Sequence, residues 1–586
     1  MPLCLPRACS TSLAIRIALH VLRRWNQKQN SIGIETTLGE NSLVLLGFEG
    51  HEKMSSLFYY SLEVASERPD IEAKELIGEK INFWVKRQDG QKHHLNGYIK
   101  SFSRLSTSTA GYRHYCIEVV PWLWFLTKSL DCCVFQNMSV IEVIEDVLNK
   151  DQHANFKIKC SRNYMKQDYC VKYQETDFEF ISRLLNHNGL FYYFSQEKGL
   201  HTLIISDQVN VYQECEEDNI IQTEGALKVD HISQWKHHFN FFSGSCSQRD
   251  FNYDSPSNDL TVNSKSVIDL PVIKNYELYH YPGNYLNRDV GIELIDQTMA
   301  REEQNYENIT GVSSYSGFHA GVKFLVKSHD FADEIGKEYL LVYVKHAVTS
   351  DTHISGGQLG TVYHNSFEAI PASLTYLNNQ LLDKPIISGP QTAIVVGPKG
   401  EEIYTDKLGR VKIIFHWDRN SSADEHSSCW IRVSQTWAGN NWGGMSIPRI
   451  GQEVVVSFLN GDPDRPIITG SVYNGENTTP YELPLNATMS GIKTNSSSSG
   501  KGFNELRFED KNDEEQIFLH AQKNMDTRIK NSSFETIQNS KHVVIGNNRF
   551  EHVKNERHVQ IDSHHIEDIS GDRHIKVKGG KCRLTR

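Results

Sequence analysis

The sequence predicts a mainly β chain with minor α content, built from several domains and ending in an intertwined trimeric β-helix. Three observations carry that prediction: a composition rich in Tyr, Phe and Gly, five short strands between residues 386 and 475, and an aliphatic residue recurring every eight positions from Ile529 to Val577. At 586 residues the chain exceeds what one hydrophobic core supports, so several domains are required. Twenty-five Tyr, 26 Phe and 39 Gly against eight Met favour strands over helices. The formal net charge of −11 argues against nucleic acid or an anionic membrane as a partner, since both demand a basic surface.

The 11 cysteines contain no Cys-x-x-Cys pair; Cys132 and Cys133 are neighbours and Cys582 stands near the end. This is neither a disulfide framework nor a zinc ligand set, so free thiols of a reducing compartment are expected. Near the start, Leu13 to Leu22 is apolar but is interrupted by Arg16 and His20 and followed by Arg23-Arg24. A secretory signal carries its charges before the apolar run, and a membrane helix needs about 20 apolar residues. Residues 1–40 are therefore an unassigned extension, and no signal peptide is expected.

Residues 41–385 read as the first domain. From Leu43 to about Asp207 the pattern is mostly strands, with two helices. Ser139-x-x-Glu142 is a capping box that opens one helix, with Ile141, Ile144, Val147 and Leu148 on a common face. Thr176-x-x-Glu179 opens the second, with a stripe of Phe178, Ile181, Leu184 and Leu185 and a stop at Gly189. Leu190 to Phe194 and Thr202 to Ser206 then form a strand pair around Lys198-Gly199. Residues 208–385 hold further strands, including Lys323 to Lys327 and Tyr339 to His346, with a helical stretch at Thr298 to Asn305.

Residues 386–478 change character. Ala393 to Gly397, Val411 to Trp417, Trp430 to Ser434, Glu453 to Phe458 and Pro466 to Gly470 are short strands separated by Gly, Asn, Asp and Pro clusters, the pattern of an OB-type Greek-key barrel. Asp462 and Asp464 form a carboxylate pair there, but their Pro-rich setting reads as a turn. The Ser- and Asn-rich residues 479–510 read as a linker.

The octads occupy residues 511–580. Ile529, Ile537, Ile545, Val553, Ile561, Ile569 and Val577 form the repeating aliphatic row, followed two places on by Asn531, Asn539, Asn547, Asn555, Ser563, Gly571 and Gly579. A β-branched residue favours strand, and Asn or Gly permits a left-handed corner, so each octad is a strand plus a turn. One buried position in eight gives too thin a core for a single-chain solenoid. Each aliphatic contributes only about 1.5–3 kcal/mol when buried, against about 1–2 kcal/mol of backbone ordering at every residue. Three chains around one axis bring the aliphatics to the centre and leave no strand edge free. His542, His558 and His574 recur at a spacing of 16, and a three-fold assembly would bring three copies of each to one level, as a metal site requires. The preferred reading puts them on the solvent side, opposite in pleat to the aliphatics, so no metal and no cofactor are expected.

At Gly409-Arg-Val-Lys-Ile-Ile-Phe-His-Trp-Asp-Arg419, Cys429-Trp-Ile-Arg-Val-Ser-Gln-Thr-Trp-Ala-Gly439, Ile447-Pro-Arg-Ile-Gly-Gln-Glu-Val454 and Gly461-Asp-Pro-Asp-Arg-Pro-Ile-Ile-Thr-Gly470 the chain resembles the VgrG spike proteins of bacterial type VI secretion, themselves similar to the fused hub and spike of contractile phage tails. Pro121-Trp-Leu-Trp-Phe-Leu126, Phe135-Gln-Asn137 and Tyr173-Gln-Glu-Thr-Asp-Phe178 extend the likeness into residues 41–385. The resemblance implies phage-hub-like barrels over 41–385, an OB-fold spike base over 386–478 and a needle over 511–580. It implies a structural homotrimer that sits on the secretion tube protein by its hub face, carries tip or effector proteins at the needle end and meets the target membrane transiently. Synthesis in the cytoplasm and export through the machine follow, without a signal peptide. The related reading is a tail spike of a prophage or other contractile particle. No enzyme is expected: Gly-x-Ser-x-Gly, His-Glu-x-x-His and Gly-x-x-x-x-Gly-Lys are absent, and the stretch between barrel and octads is too short for a hydrolase domain of about 100 residues. Residues 1–40 and the atypical end 581–586 have no counterpart in the resemblance.

Overall fold

The computed structural model describes residue 27 and residues 30–109, 112–217, 219–225, 229–349, 362–379, 381–498 and 500–580. The apolar stretch 13–22 and the end 581–586 lie outside them. The chain divides into two compact units, Met1–Ala487 and Thr488–Arg586.

The first unit is organised by one long sheet whose central pairing joins its two halves. Strand Val44–Lys53 pairs antiparallel with Tyr59–Ser66 on one side and with Glu338–Thr349 on the other. Outward from Tyr59–Ser66 follow Tyr112–Val120, Lys92–Thr109, Lys80–Lys86 and Ile32–Glu35. Outward from Glu338–Thr349 follow Val362–Pro371, Glu307–Ser313 and Ile232–Phe239. Alternation sets the buried face: Tyr60, Leu62 and Val64 point into the core while Glu63 faces out. At the central strand Gly50 faces Tyr60, and a Cβ there would stand 2.1 Å from the Tyr60 ring, so only glycine lets that ring lie flat on the backbone. The edge strand Ile32–Glu35 corrects the extent of the N-terminal extension. Its first three residues are buried against Lys80–Lys86, so residues 32–35 are part of this sheet. Their four-residue run is too short to stand out by periodicity.

Both capping boxes form. In α1 (Val140–Leu148) the Glu142 amide donates to Ser139 Oγ at 3.3 Å and the Ser139 amide to Glu142 at 2.7 Å. In α2 (Asp177–His187) the Thr176–Glu179 pair does the same at 3.1 and 2.9 Å. Each cap is worth about 1 kcal/mol. The buried stripes run slightly off those expected. Val140 and Val143 are buried in α1, and Phe180 in α2, whereas Ile141 and Phe178 are half-buried against the same core. Gly189, at φ +64°, takes the left-handed position that ends α2, and Gly199, at φ +71°, turns the hairpin Phe191–Glu197 to Leu200–Ser206. The largest correction is α3 (Arg288–Gln304), of which only the C-terminal end was legible. It buries just Ile295 and Met299 among large apolar side chains, against Cys246 and Val262 of a separate three-stranded sheet and Ile273 of the 3-10 helix Pro271–Asn275. So sparse a stripe gives little periodic signal.

The five barrel strands lie in the order Lys412–Phe415, Gln391–Val396, Glu453–Phe458, Pro466–Ser471, Arg432–Val433. Reciprocal bonds between Val411 and Ile431, at 3.0 and 2.9 Å, close the ring. The second unit contains a sheet of Met489–Lys493, Glu505–Glu509 and Gln516–His520. The segment 479–510, expected to be a linker, therefore holds two strands, and its Ser-rich centre is the connection between them. Among the described residues eight cysteines are free thiols.

Within the first unit, the Trp122 amide donates to His201 Nε2 at 3.0 Å. The proton on Nδ1 therefore goes to Asn96 Oδ1, 2.8 Å away, and the ring is held neutral. Burial pushes its pKa down from 6.5 to about 3. Below pH 6.5 the unfolded chain takes up this proton and the folded chain does not, so stability falls as pH drops from 6.5 towards 3. The slope on this account is about 1.4 kcal/mol per pH unit. We expect His201→Gln to show a shallower acid dependence than the unmodified chain in urea unfolding at pH 6.5, 5.5 and 4.5. Parallel curves would refute the assignment.

Candidate assembly surfaces

Residues 523–580 form an extended chain whose described residues make no backbone hydrogen bonds within the chain and are all exposed. The direction changes at 530–531, 538–539, 546–547, 554–555, 562–563 and 570–571, so a bend marks each octad. Of the turn positions only Gly579 takes a left-handed conformation, at φ +85°. Asn531, Asn539, Asn547, Asn555, Ser563 and Gly571 do not, contrary to expectation. Each corner is a shallow bend between extended segments, which needs no positive φ.

The octad positions differ in exposure. Ile529, Ile537, Ile545, Val553, Ile561, Ile569 and Val577 keep 41–64% of their surface open, while Phe534, Phe550 and Ile566 lie 87–93% open. His558 and His574, at the same octad position as those three, are also almost fully open. His542 is exposed as well. Five residues separate this position from the aliphatic row, which places it on the opposite pleat.

A longer period lies over the octads. Phe534-Glu535, Phe550-Glu551 and Ile566-Glu567 alternate with His542-Val543, His558-Val559 and His574-Ile575, so the full repeat is 16 residues. Each acid in it pairs with the basic residue six places on. Glu535 meets Lys541, Glu551 meets Arg557 at 3.3 Å and Glu567 meets Arg573 at 2.8 Å. These pairs are exposed in the single chain and contribute little on their own.

The carboxylates Asp462 and Asp464 do shape a turn, since the Asp464 amide donates to Asp462 Oδ1 at 2.9 Å. They also clasp the barrel to the strand-rich residues before it. Lys384 Nζ lies 2.9 Å from Asp462 Oδ1 and 2.6 Å from Asp464 Oδ2, and Asp464 Oδ1 accepts the Val171 amide at 2.7 Å. Burial pulls the Lys384 pKa down, but the two carboxylates outweigh it and hold it above the ordinary value. Around this clasp Arg465 reaches Asp250 at 2.9 Å, Arg410 donates to Tyr253 Oη at 3.0 Å, and the Arg432 guanidinium lies 4.3 Å from the Tyr253 ring centre. None of this is visible along the sequence, because the partners are up to 293 residues apart.

Three family models match the chain: a phage tail baseplate hub (GPD) over residues 51–352, a type VI secretion system/phage-baseplate injector OB domain over 392–473, and the bacteriophage T4 gp5 C-terminal trimerisation domain over 490–583. The chain is 39% identical over 512 residues to the type VI secretion system spike protein VgrG1b of Pseudomonas aeruginosa, covering 86% of this chain and 69% of that protein. In structure it is similar to the E. coli c3393 protein, described as a type VI secretion component resembling T4 tail proteins gp27 and gp5. That match has a TM-score of 0.54 at 19% identity over 75% of this chain and 99% of the other. A chain of the Francisella PdpA–VgrG complex matches with a TM-score of 0.55 at 11% identity over 89% and 96%. At these identities the two structures speak to the fold alone.

Removing the cation of the clasp leaves two poorly solvated carboxylates facing each other. The clasp is partly exposed, so we expect Lys384→Met to cost about 1.5–3 kcal/mol, the loss of hydrogen bonds between charged groups rather than of a fully buried pair. Neutralising the acids as well, in K384M/D462N/D464N, should restore most of it. Urea unfolding of the three proteins checks this, and equal midpoints for parent and K384M would refute it.

Proposed function

The chain belongs to the VgrG family of type VI secretion spike proteins, and we propose that it works there as a homotrimer whose octads wind into a needle with no free strand edge. It is a structural hub and spike component. The observation that carries the trimer is the run 523–580, ordered and extended with neither backbone partners nor a buried core of its own. Water can satisfy such a backbone, but nothing then offsets the entropy of ordering it. Partner strands from two further copies satisfy the amides and cover the half-open aliphatic row together. The match to a trimerisation domain over 490–583 supports the same reading.

In this proposal Ile529, Ile537, Ile545, Val553, Ile561, Ile569 and Val577 are the needle core, and Asn531, Asn539, Asn547, Asn555, Gly571 and Gly579 its corners. The domain reading, with hub, barrel and needle in chain order, is likewise a proposal. The hub face seats on the secretion tube protein, and the needle end carries tip or effector proteins and meets the target membrane transiently. A protein of similar fold is assembled with a second protein, PdpA, and the partner proposed here is of that kind. The work is mechanical rather than catalytic, in keeping with relatives named for their spike role. Export is through the machine itself. Among the described residues no helix is long and apolar enough to cross a membrane. The prophage tail spike has less behind it, since the matching relatives are type VI spike proteins.

Light scattering on the purified chain should return three times the chain mass. A stable monomer at micromolar concentration would sink the proposal. Ile545→Asp or Ile561→Asp removes about 1.5–3 kcal/mol of burial per chain and sets three unpaired carboxylates at one level. The expected result is a hub that stays folded while residues 520–580 become open to protease; unchanged resistance of that segment would count against the needle core assigned here.

A further inference from the structure

We propose that Glu52, His319 and His346 bind a divalent transition-metal ion of the zinc class inside the hub, stapling together the two halves of its long sheet. The three residues come from separate places in the chain. Glu52 lies near the end of the central strand Val44–Lys53, His346 lies in its partner Glu338–Thr349, and His319 precedes the strand Val322–Ser328. All three are buried, with His346 at 1% exposure, and one ligand atom from each falls within 4.8 Å of the others.

The geometry at His346 points to a cation. Its Nδ1 is engaged with Tyr363 Oη at 2.8 Å, which fixes the ring, while its Nε2 has no hydrogen-bond partner and faces Glu52 Oε1 at 3.6 Å. That gap is too long for a shared proton. It is close to the roughly 3.4 Å that separates two ligand atoms of a tetrahedral site with bonds of about 2.0–2.1 Å. On the other side His319 Nδ1 donates to the same oxygen at 2.8 Å, which orients that ring and leaves its Nε2 as the open nitrogen. The carboxylate is oriented from behind, since Oε2 accepts the Ala320 amide at 3.2 Å and Tyr60 Oη bonds Oε1. Such supporting contacts hold ligands in place in metal sites.

Charge leads to the same conclusion. Among the described residues no lysine or arginine is a hydrogen-bond or ion-pair partner of Glu52. His319 Nε2 and the Nε2 of His93, whose ring stacks on His319 at 4.1 Å, are also buried without partners. A buried carboxylate among imidazoles with open lone pairs lacks a counter-charge, and one divalent ion supplies it. Two imidazoles and one carboxylate suit zinc, with ferrous iron the nearest competitor, whereas Mg²⁺ or Ca²⁺ would need a set of oxygens. Burial on all sides marks the site as structural. The staple would cross from the strand carrying Glu52 to the strand carrying His346, the pairing that joins the halves.

The test is metal content of the full chain without a polyhistidine tag, by inductively coupled plasma mass spectrometry. We expect about one zinc per chain in the unmodified protein and in the control His558→Gln, and less than a tenth of that in Glu52→Gln and His346→Gln. After chelation, added Zn²⁺ should raise the unfolding temperature of the unmodified chain and not of His346→Gln. Because a variant could fail to fold, apo unmodified chain is also titrated with Co²⁺, whose ligand-field absorption reports a nitrogen and oxygen site directly. Metal retained equally by both variants overturns the proposal, as does an unmodified chain that takes up neither Zn²⁺ nor Co²⁺.

Discussion

Backbone hydrogen bonding is the constraint on which the rest of this chain depends. In the hub and barrel every long strand has a neighbour, and the barrel meets itself at Val411 and Ile431. The C-terminal run is the opposite case, a backbone with its donors and acceptors all open. A polypeptide does not hold one extended course over so many residues unless something outside it completes the ladder. The exposed aliphatics on the small sheet before it, Ile492 and Ile517 among them, continue the same unfinished character.

The hub and barrel keep separate apolar clusters, and the contacts that bridge them are mainly polar: Lys384 with two carboxylates, Arg465 with Asp250 and Arg419 with Asp131, beside the Tyr173 ring set edge-on to Trp417. Directional contacts of this kind fix an orientation more sharply than apolar area does. That suits the mechanical role proposed here.

How much was legible depended on how local each signal was. Both capping boxes, the barrel strands and the octads are written within a few residues and were readable from the sequence. The strand at Ile32–Glu35 was too short, α3 too polar, and the two strands inside 479–510 were hidden by their Ser-rich connection. The clasp at Asp464 and the cluster at Glu52 were beyond reach for a different reason. Val171 and His319 stand 293 and 267 residues from the carboxylates they meet, and only the fold brings them together. The left-handed corners were a wrong inference from a sound pattern, because Asn tolerates positive φ without requiring it.

The 16-residue alternation also bears on how copies find one another. Seven equal octads would let three chains wind together in any of several offsets, each with its aliphatics aligned. With Glu535, Glu551 and Glu567 set between Val543, Val559 and Ile575, an offset of one octad puts carboxylates level with apolar side chains, while an offset of two restores the match. In the proposed trimer the alternation would act as a parity check on alignment: it would reject the nearest error and leave only a coarser one, which forfeits two whole levels of contact at the ends.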